Sequence, residues 1–201
     1  MESMLRHRTR RGRLPCFLSL AAAFAVAGCT GHGAVKQDVA GTNGYVPGNL
    51  ALTYVSAEHR HTPSAVTGKL LDGSSFDLSA WRGKVVVVNF WGSWCAECRD
   101  EAQALQQVYA DDKSKGVEFL GVDIRDDVPS ALDYQRKYSI GYPSLSDPDN
   151  RIALGFRGVP PNATPSTLVL DRSGRIAARQ SGSILFSQLR DLVDRVLKEP
   201  A

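Results

Sequence analysis

Cysteine and histidine are both scarce in this chain of 201 residues, four of each, and the histidines (His7, His32, His59 and His61) stop at residue 61. Two cysteines supply only half of a four-ligand zinc site, and without a histidine nearby the remainder of the chain offers no second half. His59 and His61 stand in the polar string EHRH and read as solvated side chains. No apolar run reaches the ~20 residues that a bilayer-crossing helix needs. The longest, Leu14 to Ala27, is of signal-peptide length. Internal repeats and low-complexity tracts are absent too, and 43% hydrophobic with 22% charged residues suits one modest globular domain.

What is present begins with a targeting signal. Arg6, Arg8, Arg10, Arg11 and Arg13 precede the apolar run, against the single acid Glu2. The run ends in VAGC, residues 26–29, which resembles the lipobox of bacterial lipoproteins. Residues 1–28 are therefore expected to be a signal peptide, with Cys29 as the lipid attachment site and membrane anchor. Ordinary cleavage after Ala25-Val26-Ala27 would instead give a secreted soluble protein with a free Cys29 thiol. Arg10-Arg11 also hints at twin-arginine export. Residues 1–28 hold five of the 24 basic residues and one of the 21 acids, so the remainder is formally about −1. No nucleic-acid partner is expected from that balance.

Residues 29–63, rich in Gly, Ala, Thr and Asn, read as a flexible tether, although Tyr45, Leu50, Leu52, Tyr54 and Val55 make it less polar than a pure linker and allow part of it to pack against the domain. A folded domain is expected over 64–199. It starts with small strands and turns through VTGKLLDGSSFDLSAWRGK. VVVVNFW (85–91) and VEFLGVDI (117–124) are β-branched and aromatic runs of the kind buried on both faces of a sheet. Helical spacing follows each, through Ala102, Leu105, Val108 and Tyr109 and then from Val128 with Pro129 near its start. A short strand and helix lie in YPSLSDPDNRIALGF, an antiparallel pair in TLVLD and RIAARQ, and a last helix carries Ile184, Leu185, Leu189, Leu192, Val193, Val196 and Leu197 on one face. The order predicts an α/β fold with parallel strands, right-handed crossovers and a mixed edge.

Loss of Cys16 with the signal and lipidation of Cys29 leave one pair, Cys95 and Cys98, in WGSWCAEC. A disulfide spanning two residues removes little loop-closure entropy, so it is a poor structural staple. At a strand-to-helix junction, unpaired N–H groups and the helix dipole favour a thiolate on Cys95, and Cys98 lies one turn further in. This points to redox chemistry. Trp91 is expected in the core and Trp94 on a flat rim beside the sulfur.

VVVVNFWGSWCAEC, FLGVDI and TPSTLVLDRSGRI, in that order, resemble the TlpA/ResA family of membrane-tethered, thioredoxin-like thiol-disulfide oxidoreductases over about residues 64–198. The resemblance implies a thioredoxin-like fold, a central mixed sheet flanked by helices with an extra N-terminal β-hairpin. It implies a cis-proline at Thr164-Pro165 that presents backbone to an extended substrate segment. Thioredoxins proper carry a buried aspartate where this chain has Asn89. ResA-like proteins use a glutamate at the position of Glu101, here either a proton relay for the cysteines or a solvent-facing helix carboxylate. Glu97 would oppose a thiolate on Cys95 and Arg99 favour it, with a lean toward a reductant.

The expected function is thus disulfide reduction in partner proteins by attack of Cys95 and resolution by Cys98, on the extracytoplasmic face of the membrane. Apocytochrome c haem-site cysteines are implied substrates, and a membrane thiol reductant the electron donor. No cofactor or metal beyond the redox-active disulfide is expected, and the chain is expected to be a monomer. Two alternatives stand beside it, a thiol-dependent peroxidase of the redoxin group and a non-enzymatic copper carrier.

Overall fold

A computed structural model describes residues 52–156 and 164–200. The signal peptide 1–28, the lipid site Cys29, tether residues up to 51, and the loop prolines Pro160 and Pro161 lie outside the described residues.

Strand β1 (Thr53–Tyr54) opens the described chain, and β2 (Thr67–Lys69) and β3 (Ser75–Asp77) form the expected hairpin. Then follow β4 (Val85–Trp91), α1 (Ala96–Asp112), β5 (Val117–Ile124), α2 (Val128–Lys137), β6 (Ser144–Asp147), α3 (Arg151–Leu154), β7 (Ser166–Leu170), β8 (Ile176–Ser181) and α4 (Phe186–Leu197). The sheet order is β1-β8-β7-β4-β5-β6. β4, β5 and β6 are parallel and β7, β8 and β1 join antiparallel, which is the mixed sheet expected.

Every residue of β4 is buried, because the strand is covered on both faces. Val85 and Val87 pack with Leu105, Phe119, Leu189 and Val193 under α1 and α4. Val86, Val88 and Phe90 pack the other way, with Leu145, Leu168 and Phe156. Local signals place the helix ends. Asp127 caps α2 by accepting from Ser130 N at 2.9 Å, with Pro129 in the first turn where a missing N–H costs nothing.

Two expectations are corrected. Residues 53–61, read as tether, pack on the domain: β1 pairs with β8, and the buried guanidinium of Arg60 binds Asp171 at 3.1 Å, Val55 O at 3.0 Å, Tyr54 Oη at 2.8 Å and the Glu199 carboxylate. One arginine with its donors filled anchors a segment that has no periodicity of its own. Leu185, assigned to the apolar face of α4, is 66% exposed because it sits at the N-cap, where its N–H donates to Gln188 Oε1.

Candidate active site

β4 ends at Trp91, and the chain turns through Gly92, Ser93 and Trp94 into Cys95, the N-cap of α1. A Cβ at Gly92 would strike the Trp94 indole, so this turn requires glycine. Ser93 N donates to Asp126 Oδ2 at 2.6 Å and Trp94 Nε1 to Ile124 O at 3.1 Å, which pins the turn to the end of β5.

Cys95 and Cys98 form a disulfide with Cα atoms 5.3 Å apart. Cys98 N donates to Cys95 Sγ at 3.1 Å. In the reduced chain that donor and the helix dipole stabilise negative charge on Cys95, the end of α1 where charge is best tolerated. Both cysteines are buried, while Trp94 is 47% exposed with the Arg125 guanidinium 4.9 Å from its ring centre. Trp94 therefore forms the rim, as expected. Trp91 is core, as expected, and its ring lies 4.5 Å from that of Tyr134, whose hydroxyl donates to Cys98 O at 2.6 Å. Burial, with nearby Glu101, pushes the Tyr134 phenol well above its ordinary value and keeps it a donor.

Glu101 is not a solvent-facing carboxylate. It is 2% exposed, one turn beyond Cys98, with Oε1 accepting from Asn89 Nδ2 at 2.7 Å and Oε2 from Ile184 N at 2.9 Å. Burial pushes its carboxyl up to about 7, against the lowering effect of the Asn89 and Ile184 donors. Asn89 also donates to Thr167 Oγ1 at 3.1 Å, joining α1, β4 and β7. The aspartate position of thioredoxins is thus a neutral clamp on the glutamate.

The Thr164-Pro165 bond is cis. Phe90 pairs with Ser166, so continuing the register sets Pro165 beside Trp91, at the mouth of the cysteine turn. Pro165 is buried and its carbonyl accepts from Gly182 N at 2.8 Å, while Thr164 is half-buried. The structure brings Trp94, Cys95, Cys98, Glu101 and Pro165 to the same end of the central strands. Glu97 and Arg99 both point to solvent, where water and salt screen their effect on the cysteines.

Sequence reasoning missed Tyr134, Thr167 and Asp123. The last did carry a signal, a single acid late in the apolar run VEFLGVDI. Tyr134 and Thr167 carried none, since both look like ordinary helix and strand residues.

A sequence profile of the AhpC/TSA family matches residues 61–179. Thiol-disulfide oxidoreductase ResA of Bacillus thuringiensis subsp. konkukian is 25% identical over 126 residues, 63% of this chain and 71% of that protein. ResA of Bacillus subtilis is 26% identical over 125 residues, 62% of this chain and 68% of that protein. A crystal structure of a DsbF homologue from Corynebacterium diphtheriae superposes with TM-score 0.71 at 32% identity, covering 75% of this chain and 96% of that one. A secreted thiol-disulfide isomerase from Corynebacterium glutamicum gives TM-score 0.73 at 28% identity, over 77% and 96%. With its thioredoxin-like fold and disulfide-bonded CxxC, the chain belongs to the AhpC/TSA family and is a thiol-disulfide oxidoreductase of the TlpA/ResA type.

Proposed function

We propose that this oxidoreductase works outside the cytoplasm, held to the membrane by lipid on Cys29, and reduces disulfides in partner proteins. The observation that carries the mechanism is the Cys98 N–H aimed at Cys95 Sγ, at the N-terminus of α1. The Cys95 thiolate attacks one sulfur of a substrate disulfide, and the other sulfur leaves as a thiolate that takes up a proton. The Cys98 thiol gives its proton to the Glu101 carboxylate and attacks Cys95 Sγ. That breaks the mixed disulfide, expels the second substrate thiolate and leaves Cys95–Cys98 oxidised. Two electrons have moved to the substrate, and a membrane dithiol partner returns them.

Pro165 and Trp94 bound the place where the substrate segment lies, with the Thr164 backbone available for strand-like pairing. The reducing direction is supported by buried carboxyls: a thiolate beside acidic groups is destabilised, and a poorly stabilised reduced form makes a reductant. Extracytoplasmic placement is supported by the VAGC signal and by the secreted C. glutamicum relative. Apocytochrome c haem-site cysteines are the proposed substrates on the strength of the family likeness.

The test is Cys98→Ser in exporting cells. It should accumulate mixed disulfides through Cys95 whose partners are extracytoplasmic cysteine pairs, and Cys29→Ser should release the chain from the membrane fraction. Absence of any mixed disulfide would overturn the reductant reading. Peroxide turnover that outpaces thiol-disulfide exchange would support a peroxidase instead.

A further inference from the structure

β5 is covered on both faces, yet near its end it buries an acid. Asp123 is fully buried and neither carboxyl oxygen accepts from an N–H or hydroxyl donor, while another acid, Asp126, lies within side-chain hydrogen-bonding reach of it. An unpaired carboxylate in such a place is costly, and a carboxylic acid far less so.

Its position ties it to the cysteines. Asp123 is the register neighbour of Trp91 on β4, and the alternation of β5 sets it on the same face as Phe119, toward α1. Trp91 packs in one cluster with Cys95, Cys98 and Tyr134 of α2, and its own Nε1 is also buried without a partner. Gly121, two residues before Asp123, is what lets the indole lie there, because a Cβ at that position would come within 2.6 Å of Trp91 Nε1. Asp123 therefore stands one strand away from the residue that backs the disulfide.

The side chains that act most strongly on Asp123 are acids: Asp126 and Asp127 from the loop into α2, Asp126 also through a side-chain hydrogen bond, and Asp147 from β6. Each of those acids has N–H donors, namely Ser93 and Asp127 for Asp126, Ser130 for Asp127, and Ile152 and Ala153 for Asp147. Asp123 has none, and the guanidinium of Arg125 is turned over the Trp94 ring. Burial first, then the charge of Asp126 and a hydrogen bond to its side chain, and then the charges of Asp127 and Asp147, push the Asp123 carboxyl up to about 8.

We propose that Asp123 is a second proton-holding group of the redox centre, neutral at the back of the cysteine pair and opposed in its ionisation to the Cys95 thiolate. It acts through its field and touches no substrate, so it is a positioning residue. The proposal requires only that the pair cycles: the disulfide takes two electrons from a dithiol and two protons to give two thiols, and the Cys95 thiol then ionises. While Asp123 keeps its proton it adds no charge against the thiolate. Once it loses that proton, two negative charges share a low-dielectric region and the reduced form is disfavoured.

The experiment equilibrates the full chain and Asp123→Asn with dithiothreitol redox buffers across pH. The two reduction potentials should coincide where Asp123 is neutral and separate above about pH 8, with the wild type more negative. In parallel, carbon-13 NMR of the wild-type Asp123 carboxyl should show titration far above the ordinary aspartate value of about 3.9, moving higher still on reduction. Coincident potentials at every pH, or an Asp123 that titrates in the ordinary range or identically in both redox states, would overturn the proposal. A wild-type pair that never equilibrates with the buffers would instead sink the oxidoreductase reading, while NMR of the oxidised chain still decides Asp123.

Discussion

Glu101 binds its proton more tightly folded than unfolded, and the sign of its pH effect follows. Its carboxyl is raised from an ordinary 4.5 to about 7, so its contribution to stability is complete below 4.5 and is lost as pH rises through 7. At about 1.4 kcal/mol per tenfold change in proton affinity, the loss is on the order of 3 kcal/mol. Glu101→Gln should remove this part of the slope and leave the part that belongs to Asp123, which urea midpoints taken across that pH range would show directly. A Glu101→Gln curve as steep as the wild type would place the titration elsewhere. Gly121 gives a second prediction at this scale. Gly121→Ala crowds Trp91 and Ser144, and overpacking of this kind typically costs 1–3 kcal/mol. A near-ultraviolet signal from a displaced tryptophan should accompany the lower denaturation midpoint. The cysteine pair was legible from spacing alone. That Glu101 is buried was not, since its burial comes from Ile184, 83 residues away, closing over it.

Among the elements, those with a local period were readable. The runs of β4 and β5 and the spacing of α1 announce themselves, because burial on both faces of a strand and on one stripe of a helix leaves a short-range pattern. β1 was not readable, because what holds it is Arg60, paired with residues 111 and 139 positions further on. Arg60→Ala removes one of the two guanidinium partners of buried Asp171, which keeps Arg175 Nε at 2.9 Å, and losing a hydrogen bond to a charged group of this kind costs about 1.5–3 kcal/mol. The expected result is a lower urea midpoint with early amide exchange at Tyr54 and Val55, while the exchange activity of the folded fraction is retained. Unchanged stability would mean that residues 53–61 are only loosely attached.

For the whole molecule, the ends of the parallel strands β4 and β5 and the start of the antiparallel strand β7 bring the cysteine pair, a buried acid and the cis-proline Pro165 to one end of the sheet. On the proposed mechanism the pair cycles between disulfide and dithiol there, with Cys95 exchanging and Cys98 resolving. The most direct measurement is the rate at which the reduced full-length chain reduces a disulfide-bearing protein, compared with Cys95→Ser and Cys98→Ser. Rapid reduction by the wild type, none by Cys95→Ser, and a single turnover ending in a mixed disulfide for Cys98→Ser is the predicted result. A wild-type rate no greater than that of a free dithiol, or undiminished activity in Cys95→Ser, would contradict it.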